Sequence, residues 1–227
     1  EKKAALLTLG VDGTAFLNAD DRFFNFLRDG LSASVKTFGL SCGDVHPEKI
    51  IDTGIDKTKF VLLGQTMAAS VLGSHGIVNA AAAALVGLHF GLSTREIQAG
   101  IESLSMEQGR GSVFESNGIT IIDESYNANP LSVSAALDYL GAISIQGRKI
   151  FVFGDMLELG DRSERYHRAL SEQVIKNGID VLYTYGSFAA MTGEDLIHSG
   201  HKCVRQFEDL GKLIAELKGE ASVSYTH

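Results

Sequence analysis

The stretch best equipped for chemistry is Asp123-Glu124-Ser125-Tyr126-Asn127-Ala128-Asn129-Pro130. Two adjacent carboxylates, a phenol and two amides follow the apolar pair Ile121-Ile122, and the proline opens an apolar-periodic segment. The run therefore reads as strand, polar loop, helix. Its polar groups would stand at the carboxyl end of a strand, where open parallel α/β sheets bind ligands and where a helix N-terminus favours anions. The same residue types also build ordinary strand-to-helix turns. If the strand runs through both acids, Asp123 and Glu124 face opposite ways. One could then accept hydrogen bonds from ribose hydroxyls while the other serves as a helix cap.

Arg110 lies at the Gly-flanked break Gly109-Arg110-Gly111 just upstream, where a guanidinium fork suits phosphate or carboxylate. The plainer alternative is a surface arginine in a linker. His75 and Asn79 are spaced to share one face of a helix and offer donors and acceptors to a base or sugar, although a histidine near a helix start is commonly structural. A second acidic loop, GDMLELG at 154–160, also follows a strand. Asp155 or Glu158 could hold an ammonium group there, or cap the following helix that contains His167. His167 itself receives no chemical role.

These groups need elements to place them. In the first part, strands are expected at 14–18, 36–40 and 59–63, with a helix after Asp20-Asp21 burying Phe23, Phe24 and Leu27. An Ala-rich helix should run from the His75 turn to Leu88. Ser93 and Glu96 fit a capping box for the next helix, whose apolar face would carry Ile97, Ile101 and Leu104. Beyond the break at 109–112 strand and helix alternate: strands at 119–123, 149–154, 180–185 and 202–207, helices at 131–140, 162–176, 189–198 and 210–217. That rhythm predicts a parallel sheet with helices on its faces.

Composition narrows the classes. A 227-residue chain that is 44% hydrophobic can bury a substantial core. A net charge of -8 argues against nonspecific nucleic-acid binding. No segment reaches the roughly 20 apolar residues of a membrane span, and no leader pattern is present. A cytoplasmic location follows by default. Cys42 and Cys203 lie far apart and read as reduced thiols. There is no GxxxxGK[ST], and Gly211-Lys212 falls within a helical pattern, so any ATP site here would be incomplete. Both ends look cut.

Taken together, DESYNANP at 123–130, GDMLELG at 154–160, HGIVNAA at 75–81 and the Gly-Arg at 109–110 resemble the Mur ligases, the amide ligases of peptidoglycan synthesis. The pattern is similar to the branch that joins D-alanyl-D-alanine to UDP-N-acetylmuramoyl-tripeptide. Two departures stand out: Gly76 replaces the first Asn of the family's HNVxN, and Glu124 replaces the second Asp of its DDSYNANP. The resemblance implies that residues 1–108 are the latter part of a central ATP-binding domain. Residues 109–227 would be a truncated Rossmann-like C-terminal domain with a mainly parallel sheet. It implies ATP and Mg2+ as cofactors and an acyl phosphate intermediate; no nucleic-acid partner is expected from the charge, and a monomer is the expectation that the sequence itself does not decide. His75 and Asn79 would contact the adenine side, Asp123 or Glu124 the ribose, and Arg110 the phosphates. Tyr126, Asn127 and Asn129 would line the dipeptide region, and Lys2 or Lys3 falls near the family's carbamylated lysine. Alternatives are a folylpolyglutamate synthase-like ligase or a noncatalytic nucleotide-binding module. With the phosphate loop outside it, the chain alone is expected to be inactive.

Overall fold

A computed structural model describes residues 2–70, 73–116 and 118–222. The chain divides into two compact units, residues 1–105 and 106–227, each with its own core.

The first unit opens with α1 (Lys2–Leu7). A parallel pair follows, β1 (Thr14–Asn18) and β2 (Ser34–Phe38), linked through α2 (Phe24–Arg28). An antiparallel meander comes next: β3 (Lys49–Thr53), β4 (Thr58–Leu62) and β5 (Gln65–Ala69), in that spatial order. Two helices complete the unit, α3 (Gly73–His89) and α4 (Thr94–Glu102). Ala80, Ala81 and Ala84 of α3 share a core with Phe60, Leu62 and Met67. The small alanine side chains let the helix backbone lie close to the sheet. Ser93 and Glu96 form the expected capping box, and Ile97 and Ile101 are buried.

Several details differ from the sequence reading. α2 buries no residue, and Phe23 is half-exposed beside the Arg22 guanidinium, 4.6 Å from the ring centroid. A helix of five residues is too short to present an apolar stripe to a core. Leu104 lies beyond the end of α4 and is exposed. β3 was not foreseen because it is an edge strand, exposed along most of its length and without apolar alternation.

The second unit begins with a hairpin, β6 (Ser112–Ser116) and β7 (Ile119–Asp123). β7 thus pairs antiparallel with β6 and does not open the parallel sheet as its sequence suggested. Helix α5 (Pro130–Ala142) follows, with proline in its first turn, where its missing N–H would be unpaired in any case. The parallel sheet has the order β10-β9-β8, built from β8 (Ile150–Gly154), β9 (Val181–Tyr185) and β10 (Val204–Phe207). Between β8 and β9 a single helix was expected at 162–176. The chain instead makes a 3-10 turn at Gly160–Arg162, then α6 (Ser163–Arg168) and α7 (Leu170–Lys176), interrupted at Ala169. α8 (Ser187–His198) and α9 (Leu210–Ser222) complete the order.

Strand alternation accounts for two layers of packing. Leu182 packs with Leu137, Val174, Ala189 and Leu196 from α5, α7 and α8. Val181 and Tyr183 face the other way, against Leu213 of α9. Arg168 ties α6 to α8 by reaching Glu164 at 2.9 Å, Asp195 at 2.6 Å and Glu194 at 3.7 Å.

Because Leu182 is fully buried, Leu182→Ala should lower the unfolding free energy by about 2–5 kcal/mol in urea titrations. A change within the scatter of exposed-site substitutions, about 0.5 kcal/mol, would contradict this assignment of the core.

Candidate functional site

Strand β7 ends at Asp123, so Glu124 belongs to the loop and the two acids do not alternate along one strand. The Asp123 carboxylate turns back into the backbone. One oxygen accepts the Gly109 N–H at 3.1 Å and the other the Ser125 N–H at 3.0 Å. Main-chain bonds complete the clamp, from Gly111 N–H to the Asp123 carbonyl at 2.8 Å and from Tyr126 N–H to the Gly109 carbonyl at 3.0 Å. Gly109 has φ +77°, and a Cβ there would stand 3.1 Å from the Tyr126 nitrogen. The close approach of two backbones thus requires glycine at this position.

The clamp sets Arg110 against Tyr126, with the guanidinium carbon 3.8 Å from the ring centroid. Both residues are exposed, and Arg110 also meets Glu107 at 3.9 Å. An exposed pair of that length is worth about 0–1 kcal/mol. The ring and the clamp, more than Glu107, therefore orient the guanidinium.

The two carboxyls differ in acidity. The Ser125 side chain holds Asp123 below the usual carboxylate range against partial desolvation, helped by the Ser125 and Gly109 amides. Glu124 is exposed as a residue, yet partial desolvation of its carboxyl, followed by the Asp123 charge, raises its pKa.

Asn129 is the N-cap of α5. Its side-chain oxygen accepts the Leu131 and Ser132 N–H groups, each at 3.0 Å, and Ser132 Oγ accepts the Asn129 N–H in return. Only its NH2 is left for a ligand. Asn127 is exposed in the same loop. The structure thus gathers Arg110, Asp123, Glu124, Tyr126, Asn127 and Asn129 around one strand exit of the second unit.

In the first unit, His75 and Asn79 are exposed on the same face of α3. Desolvation lowers the His75 pKa, which keeps the ring neutral at pH 7, with one donor and one acceptor. The Lys2 side chain lies outside the described residues. Lys3 Nζ is 3.9 Å from Asp29 and 4.3 Å from the Phe26 ring centroid.

A cavity of about 540 Å³ opens at the carboxyl ends of β8 and β9, lined by Gly154, Asp155, Leu157, Tyr185, Gly186, Ser187 and Glu208. Asp155 does not cap the helix that contains His167, as its sequence position suggested; it accepts the Ala189 N–H of α8 at 2.7 Å. Gly186 precedes α8 with φ +103° and no side-chain cap, and a Cβ there would collide with the Asp155 carboxylate. Asp155 thus supplies the cap that Gly186 lacks. It also occupies the end of the helix dipole that would otherwise attract phosphate. With Glu208 on the same wall, the cavity suits a cationic group better than an anion. Sequence reasoning named Asp155 but missed Tyr185, Gly186, Ser187 and Glu208; the Gly-Ser pair closing an apolar run was the available signal.

Residues 109–224, more than half of the chain, match the family described as Mur ligase, glutamate ligase domain. The chain belongs to the Mur ligase family. The match starts at Gly109, the residue that meets Asp123. Among relatives, this Mur ligase chain is 29% identical over 200 residues to UDP-N-acetylmuramoyl-tripeptide:D-alanyl-D-alanine ligase of Bacillus subtilis, covering 86% of this chain and 44% of that protein. The ligase of the same name from Escherichia coli is 35% identical over 134 residues, or 57% of this chain and 29% of that protein. A crystal structure of MurF from Acinetobacter baumannii superposes with a TM-score of 0.82 at 27% identity, covering 92% of this chain and 46% of that one. The Mur ligase chain described here therefore spans less than half the length of these relatives.

The two acids in this Mur ligase loop should give opposite signs in pH-dependent thermal melts. Asp123, with its lowered folded-state pKa, stabilises the fold above its unfolded pKa of about 3.9 and loses that contribution as pH falls through the folded value. Glu124, with its raised pKa, loses stability as pH rises from about 4.3 through its folded value and stays lower above it. Asp123→Asn should therefore be destabilised at pH 7, with the deficit closing in acid. Glu124→Gln should be slightly more stable at pH 7, with the gain vanishing in acid. Melting curves that shift in parallel for both variants would contradict the two environments.

Proposed function

We propose that this chain is part of an ATP-dependent ligase that joins D-alanyl-D-alanine to UDP-N-acetylmuramoyl-tripeptide. The observation that carries the reading is the clamped Arg110–Tyr126 stack, a preoriented guanidinium at the strand exit whose loop also carries the exposed Glu124. Residues 1–108 would be the latter part of a central ATP-binding domain and 109–227 a C-terminal Rossmann-like domain. His75 and Asn79 would meet the adenine, Glu124 the ribose, and Arg110 the phosphates. Lys2 or Lys3 would be the modified lysine.

In the reaction, a carboxylate oxygen of the tripeptide bonds to the γ-phosphorus of ATP as the β–γ bridge breaks and ADP leaves. The dipeptide amine then attacks the acyl carbon, the carbon–oxygen bond to phosphate breaks, and the amine proton passes to phosphate or water. Negative charge spreads over the transferred phosphoryl oxygens, where an oriented guanidinium contributes most. Among the described residues no group of three His, Cys, Asp or Glu side chains could hold a metal. Magnesium usually takes only one or two protein ligands beside substrate phosphates; here it would arrive with the nucleotide, the modified Lys2 or Lys3 helping to hold it.

The dipeptide would lie between the Tyr126-Asn127 loop and the cavity at the ends of β8 and β9. The acidic wall there favours its ammonium, and Leu157 and Tyr185 offer apolar surface to its methyl groups. The two relatives compared above carry the D-alanyl-D-alanine ligase name, which favours this reading over a folylpolyglutamate synthase-like one. No described helix is long and apolar enough to cross a membrane, and the nucleotide substrates fit a cytoplasmic enzyme.

In the full-length enzyme, ADP release should depend on D-alanyl-D-alanine and not on glutamate or single L-amino acids. A preference for glutamate would overturn the reading. Arg110→Ala should lower kcat by about 10²–10³-fold, with Arg110→Lys recovering only part because the planar stack is lost. An unchanged rate would remove Arg110 from the chemistry.

A further inference from the structure

His167 is fully buried, yet it is not inert core packing. Its Nε2 accepts the Met156 N–H at 2.9 Å, and its Nδ1 lies 2.7 Å from the Ser163 carbonyl. The ring stacks between Phe153 and Phe188, with centroids 6.4 and 5.5 Å away. The residue's own carbonyl, at the break before α7, accepts the Thr192 hydroxyl at 2.7 Å. Every polar atom beyond its own amide is thus matched, and the ring has no room to turn.

These contacts fix a protonation state. A nitrogen that accepts from a backbone N–H carries no proton, so the hydrogen must sit on Nδ1, where the Ser163 carbonyl receives it. The amide held by Nε2 belongs to the middle of the acidic loop at 154–160. On either side of Met156 stand Asp155 and Leu157, both lining the cavity. Next comes Glu158, with φ +61°, a left-handed conformation that non-glycine residues adopt at some expense. A loop so strained keeps its shape only when its surroundings hold it. Met156 provides one anchor through its buried side chain and the other through this amide.

We propose that His167, as the neutral Nδ1–H tautomer, is the positioning residue that holds the 154–160 loop as a wall of the cavity and thereby sets affinity for the amine substrate. It acts through the Met156 amide and touches no substrate. The second half of the proposal rests on the ligase reading given above.

The test uses the full-length enzyme and two measurements. In ¹⁵N-histidine spectra at neutral pH, His167 should show a protonated Nδ1 and a bare Nε2, and the Met156 amide should be strongly protected from exchange. A bare Nδ1, a doubly protonated ring or an unprotected Met156 amide would overturn the latch. In kinetics, His167→Leu should raise KM for D-alanyl-D-alanine by about tenfold, the scale of one unpaired buried amide, with little change in KM for ATP. His167→Gln, whose side-chain oxygen can reach the same amide, should recover most of the loss. Equal rises in both KM values, no rise, or no recovery with Gln would overturn the positioning role. Should the wild-type enzyme fail to use D-alanyl-D-alanine at all, the ligase reading falls with the affinity claim that rests on it, and the spectra still decide the latch.

Discussion

The strand exit of the second unit depends on one carboxylate satisfying two amides. Asp123 draws the glycine-flanked turn at 109–111 and the loop after β7 into one clamped unit. Together with the main-chain bonds from Gly111 to Asp123 and from Tyr126 to Gly109, that pairing holds the two segments close and places the Tyr126 ring against Arg110. Charge-assisted hydrogen bonds of this type are about twice as strong as neutral ones. One partly exposed aspartate can therefore organise a loop in which Glu124 to Asn127 are all exposed. The chemistry assigned to Arg110 is a consequence: its backbone is fixed by the clamp and its side chain is aligned by an aromatic face.

Much of this was legible from residue order, for identifiable reasons. Ile119 to Ile122 announced β7, Ser93 and Glu96 announced the start of α4, and Asn129-Pro130 announced α5, because each of these signals is local. Its pairing partner β6 was not seen, since Ser112-Val113-Phe114-Glu115-Ser116 alternates weakly, although the Asn117-Gly118 pair between the strands is a hairpin signal. The interruption at Ala169 was invisible because alanine is the best helix former; its neighbourhood is shaped by Thr192, a residue far along the chain. Asp155 looked like a cap for the next helix, whereas a crossover brings the start of α8 to it instead. Local grammar gives strands, helices and caps. Which strand exit meets which helix is decided by topology.

The candidate site shows the same division. The loop residues from Asp123 to Asn129 could be named because they are contiguous. Of the cavity walls only the contiguous 154–160 loop could be named; Tyr185 and Glu208 could not, since they come from other strand exits. Roles within the contiguous loop also needed coordinates: Asp123 and Asn129 have the residue types of ligand contacts, yet both spend acceptor atoms on the backbone. Glu124, Tyr126 and Asn127 are exposed, and Asn129 is exposed too although its side-chain oxygen is taken by the helix start. A string of polar residues in a motif thus contains scaffold and contact groups interleaved.

The placement of Asp155 against α8 bears on how such a chain would sort its substrates. A helix start capped by a carboxylate attracts polyphosphate less than a bare one, so the end of the parallel sheet would be a poor nucleotide site even though its topology would invite one. At the other loop Arg110 presents a cation oriented by an aromatic ring. The two mouths therefore differ in one respect: a guanidinium stands among the carboxylates of Glu107, Asp123 and Glu124 at one, and the residues lining the other include no cation.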